Sequence, residues 1–138
     1  MPSFVKLNSG WNADPNVPDP KVQQSEDGIT LRFDLNCMIY PHFSESDVGL
    51  LAFVGCTRWR LGGTNDEGWY LGQCRYSSMA PEWGEFYEIV GEDALRDAPT
   101  EWHLIRPDTS DIRHFLFYLG DETFECMAKE WGFSVASA

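Results

Sequence analysis

Residues 112–128 constrain the fold of this chain more tightly than any other stretch of its sequence. Two extended segments, 112–119 and 122–128, flank the dipeptide Gly120-Asp121. A glycine at the first central position of a two-residue loop favours a type II′ turn, whose twist matches that of paired strands. Pairing Leu119 with Glu122 then sets every other pair. Phe115, Phe117 and Leu119 fall on one face with Phe124, Cys126 and Ala128. His114, Leu116, Tyr118, Thr123, Glu125 and Met127 share the other, because side chains alternate along a strand. One face is wholly apolar, so this hairpin predicts a sheet packed against a core.

The rest of the chain reads in the same idiom. Residues 29–36 alternate apolar and polar without a fault, the pattern of a strand with one wet face. Residues 50–61 begin as a continuous apolar run and then alternate, with Thr57, Trp59 and Leu61 opposite Arg58 and Arg60; we read them as one strand running from the middle of a sheet to its rim. The longest apolar run, 48–56, is too short for a spanning helix and suits a buried strand. Residues 62–68 are dense in turn formers, and 69–77 resume an extended pattern, which predicts a second hairpin. Residues 83–90 read as a strand, 102–105 as a short one, and 92–96 allow at most a turn or two of helix. Residues 3–11 read as a short strand ending in the anchor Trp11. Pro15, Pro18 and Pro20 make residues 12–26 a surface connection.

These elements predict a mainly β fold with little helix, an antiparallel sandwich or small partly open barrel of about seven or eight strands. Residues 1–138 form one domain, with no internal repeat. Six Trp, five Tyr and nine Phe supply a core that more than offsets the charge, which argues against disorder.

Charge narrows the partners. The chain carries 22 Asp and Glu against ten Lys and Arg, a net charge of -12. Phosphate backbones and anionic membranes are disfavoured, because affinity for both rests on Lys and Arg. A basic protein partner suits the balance, as does simple solubility. The first residues lack the pattern of a signal peptide. Cys37, Cys56, Cys74 and Cys126 lie far apart without C-x-x-C spacing, which reads as free thiols in a cytoplasmic protein.

No G-x-S-x-G, P-loop, dinucleotide-binding or H-E-x-x-H motif occurs, and neither a cofactor nor a metal site is indicated. The outer face of the hairpin offers one catalytic candidate. His114 sits diagonally from Glu125, with Tyr118 two positions along, and a carboxylate beside an imidazole suits a general base. The same geometry suits a polar pair on a half-exposed sheet face. Trp83, Glu85 and Tyr87 would share a face and form a binding candidate for a sugar, a cation or a protein, or else belong to the core and its rim. Residues 65–68 read as a turn rather than a calcium loop, and 108–111 as a loop with local hydrogen bonds. Arg58, Arg60 and Arg75 form a basic patch or a set of surface ion pairs.

The leading expectation is a binding or interaction protein, in concrete form an inhibitor or immunity-type protein that neutralises a basic partner. The alternative is a small enzyme or ligand-binding barrel with a pocket at His114, Tyr118 and Glu125. A third is an accessory subunit whose aromatic face joins copies of the chain.

Overall fold

The fold comes from a computed structural model that describes residues 3–63, 84–91, 102–119 and 122–137. These residues form ten strands in two antiparallel sheets and contain no helix. The strands are β1 (Ser3–Lys6), β2 (Lys21–Ser25), β3 (Gly28–Asp34), β4 (Asp47–Val54), β5 (Arg58–Gly63), β6 (Phe86–Val90), β7 (His103–Leu104), β8 (Arg113–Leu119), β9 (Glu122–Ala128) and β10 (Glu130–Ser137). One sheet runs β1-β6-β8-β9-β5-β7 and the other β10-β4-β3-β2. Neither closes into a barrel, so the architecture is a sandwich.

The β8–β9 hairpin has the register read from its faces. Leu119 opposes Glu122, Phe117 opposes Phe124 and Phe115 opposes Cys126. The turn itself, Gly120-Asp121, lies outside the described residues. The apolar face of the hairpin looks into the sandwich, where Phe115, Phe117, Leu119, Phe124, Cys126 and Ala128 are all buried. Across from them stand Ile29, Leu31 and Phe33 of β3 and Leu51 and Phe53 of β4. Phe33 meets Phe117 edge-on with ring centroids 5.0 Å apart, and Phe53 lies 5.4 Å from Phe115 and 5.6 Å from Phe124. Offset and edge-on geometries of this kind suit aromatic quadrupoles. The anchor Trp11 is buried between the sheets and stacks flat on Phe133 at 4.0 Å.

Three sequence expectations change. Residues 50–61 are two strands in different sheets. The chain leaves β4 at Gly55, whose φ of 67° is a conformation that favours glycine, and enters β5 of the other sheet at Arg58. Within β4, Ala52 and Val54 are exposed, so that strand has one wet face in place of two dry ones. Residues 12–26 are not all connection. All three prolines precede β2, which sits at a sheet edge where a missing amide is tolerated. The count also rises above eight, chiefly through β2 and through β10, whose alternation of Trp131, Phe133 and Val135 with small residues is a strand signal. The expected hairpin of residues 62–77, the short helix at 92–96 and the loop at 65–68 lie wholly or largely outside the described residues.

Candidate functional site

The outer face of the six-stranded sheet holds a buried polar cluster. β9 is flanked by β8 and β5, and Glu125 lies directly opposite Arg60 on β5 and Leu116 on β8. Strand alternation therefore brings Arg60, Glu125 and, one diagonal step away, His114 to the same side. Arg60 Nε donates to Glu125 Oε1 at 3.2 Å and its Nη2 donates to Oε2 at 2.9 Å. His114 Nε2 donates to Oε2 at 2.8 Å. Glu125 has no exposed surface, and His114 and Arg60 are also buried. Trp102 caps the group, its ring centroid 3.8 Å from the Arg60 guanidinium carbon and 6.0 Å from the His114 ring.

This arrangement is a fork-shaped ion pair with a histidine docked on it. Both oxygens of Glu125 accept from Arg60, and the proton on His114 Nε2 is fixed by the same carboxylate. Such a group holds three strands in one register, because removing Arg60 or Glu125 leaves a buried charge without its ion-pair partner, and His114 ties β8 to the same carboxylate. The pair His114 and Glu125 is thus present as read from the sequence, but on a buried face and not a half-exposed one. Tyr118 is also fully buried, four residues along β8 from His114 and opposite Thr123. Arg60 was not linked to this group in the sequence, where it belonged to a patch with Arg58 and Arg75. Arg58 instead pairs with Asp108 at 3.1 Å and also lies over Trp102, and Arg75 lies outside the described residues.

A cavity of about 200 Å³ opens beside the cluster, lined by His114 together with Ile89, Val90, Arg113, Met127 and Glu88. Arg113 is held there by both oxygens of Glu88, at 3.0 and 2.8 Å, and this hydrogen-bonded pairing pushes the guanidinium pKa up. Glu125 and Tyr118 are not among its lining residues.

Of the second candidate set, Trp83 lies outside the described residues. Glu85 is buried and accepts from Asn8 and, at 3.5 Å, from Asn12, with Lys6 Nζ 3.7 Å away. Asn8 also accepts from the Phe86 amide and donates to the Trp11 carbonyl, so Glu85 and Asn8 tie β1, β6 and the Trp11 segment together. Tyr87 is fully buried and meets Phe4 edge-on.

At the end of β3 the structure assembles three carboxylates. Asp34 is raised above its ordinary value by partial burial first, then by repulsion from Asp19 and Asp14, while Arg32 and Lys21 act in the opposite sense. Asp14 caps the following turn, accepting from the amides of Asn16 and Val17. Three large apolar side chains stand exposed along the adjoining chain, Val17 at 64%, Met38 at 84% and Ile39 at 65%. The gathering of these carboxylates depends on residues 12–14 running beside the end of β3 through the Ala13 to Leu35 bridge, which no local spacing encodes.

No group of three or more potential metal ligands occurs among the described residues, and no helix there is long and apolar enough to cross a membrane. Cys37, Cys56 and Cys126 are free thiols. Comparison with known proteins finds no matching family, no matching curated protein and no matching solved structure.

Proposed function

We propose that this chain is a cytoplasmic binding protein that recognises a basic protein partner, in the manner of an inhibitor or immunity-type protein. The observation that supports this reading is the acidic end of β3. Partial burial first, and then repulsion from Asp19 and Asp14, raise the Asp34 carboxyl, and the exposed Val17, Met38 and Ile39 follow these acids along the chain. A cationic surface would relieve that repulsion, and exposed apolar side chains close to these acids in the sequence suit an interface with an anchor and a polar rim. Lys21, 3.6 Å from Asp19, and Arg32 offset part of this charge, while Arg60 is engaged with Glu125, Arg113 with Glu88 and Arg58 with Asp108.

The test is capture from the native host at low and high salt, followed by titration of the purified partner. The expected partner is basic, binds more weakly as salt rises, and loses about tenfold or more in affinity to the triple substitution Asp14→Asn, Asp19→Asn, Asp34→Asn. No partner at either salt, or one indifferent to those substitutions, overturns the reading.

The cavity at His114 supports a second reading, a small-ligand site. Of His114, Tyr118 and Glu125, only His114 lines it. A ligand whose binding is unaffected by Met127→Trp, a change that fills the cavity, would sink it.

A further inference from the structure

We propose that β10 is a self-association edge, through which two copies of this chain pair strand to strand in antiparallel fashion. β10 is one edge of the four-stranded sheet and lies along β4 for its whole length, from Glu130 opposite Val54 to Ser137 opposite Asp47, without a bulge. No strand lies on its other side among the described residues. An open edge presents a row of backbone donors and acceptors that another strand can satisfy, and proteins usually guard such edges by shortness, proline, lysine or a bulge.

The other edges are guarded and β10 is not. β1 has four residues and carries Lys6, β7 has two, and β2 follows Pro18 and Pro20 and begins with Lys21. β10 has eight residues, no proline, no Lys or Arg, and a single charge at its first position, Glu130.

That lone charge argues for a second copy as the occupant and fixes its direction. Parallel pairing of two β10 strands would set Glu130 against Glu130. An antiparallel match centred on Phe133 or Ser134 places the two carboxylates about 20 Å or more apart, at roughly 3.4 Å per residue. That exceeds the Debye length of about 8 Å at physiological ionic strength. The same match keeps Trp131 and Phe133 of both copies on the core side. Gly132, Ser134 and Ala136 then lie on the outer side, where small side chains leave the backbones free to approach. The result is a closed two-fold dimer with one continuous eight-stranded sheet.

The net charge of -12 on each copy opposes this pairing, so added salt strengthens it. A basic partner at the acidic end of β3 shows the opposite dependence, which keeps the two proposals experimentally separate.

The test is light scattering coupled to size exclusion over a range of protein and salt concentrations, with circular dichroism to check folding. Expected is a mass of twice 15.8 kDa, favoured by salt. Ser134→Lys weakens association roughly fivefold although it lowers the net negative charge, because like charges then meet across the new strand pair. Gln23→Lys on exposed β2 changes the net charge equally and leaves the dimer intact. Gly132→Lys, which faces Ser134 or Ala136 of the second copy and not Glu130, gives an independent measure if Ser134→Lys folds poorly. A monomer at every concentration, or a dimer indifferent to both β10 substitutions, overturns the proposal. So does a monomer whose β10 edge instead takes up a strand from another protein.

Discussion

His114 and Glu125 bond across a diagonal of the β8–β9 pair, not across a rung: the residue opposite Glu125 is Leu116, and His114 faces Met127. The diagonal leaves the position directly across β9 to Arg60, which takes both carboxylate oxygens. Three strands are thereby pinned at one buried charge.

Arg60→Met is expected to cost about 3–5 kcal/mol, because it strands a buried carboxylate. Replacing the whole group, with Arg60→Met, Glu125→Leu and His114→Leu together, is expected to recover most of that loss, since no buried charge then remains. Urea unfolding of the single and triple variants measures both. A single variant within error of the parent sinks the assignment.

Phe117→Ala is expected to cost about 3–5 kcal/mol, the usual range for emptying a packed aromatic site. Phe117 is fully buried and touches the rings of Phe33, Phe86 and Trp11. The same substitution should raise binding of a dye specific for exposed apolar surface if the two sheets loosen.

Two glycine substitutions should separate by sign. A methyl on Gly28 would lie 1.9 Å from the Phe53 carbonyl oxygen, so Gly28→Ala must displace backbone of β4 and is expected to cost about 1–3 kcal/mol. Gly132→Ala meets nothing within 4 Å and is expected to stabilise by about 0.4–1 kcal/mol, through the unfolded state. Thermal unfolding of the two variants side by side reads the contrast.

Asp34 gives a pH signature. Its carboxyl titrates above the ordinary 3.8 because of partial burial and then of Asp19 and Asp14. The folded chain therefore holds that proton more tightly than the unfolded chain does. The contribution of Asp34 favours folding below about pH 3.8 and is lost as pH rises through the raised value. Asp34→Asn is accordingly expected to raise the unfolding midpoint at neutral pH. The gain should vanish below pH 3.8, and a gain that persists in acid would count against this account.

Local pattern carried the β8–β9 hairpin almost completely, because turn length, register and face alternation are all set within a few residues. It failed at residues 50–61, where an apolar run passes into an alternating one and only Gly55 marks the switch of sheets. It failed at Glu125 for a different reason. His114 lies within the hairpin and was found, whereas Arg60 reaches Glu125 only because β5 packs beside β9, a choice no short window encodes. The acidic end of β3 was hidden likewise, since Asp14 and Asp34 are neighbours through chain packing and not through spacing.

The place of β10 beside β4 also bears on synthesis. β4 is made early, yet the strand that covers its free side is made long after it. Until then a nascent chain carries Leu51 and Phe53 on a half-finished sheet, a state in which a chaperone or a sister chain on the same message is the nearest substitute for the missing strand.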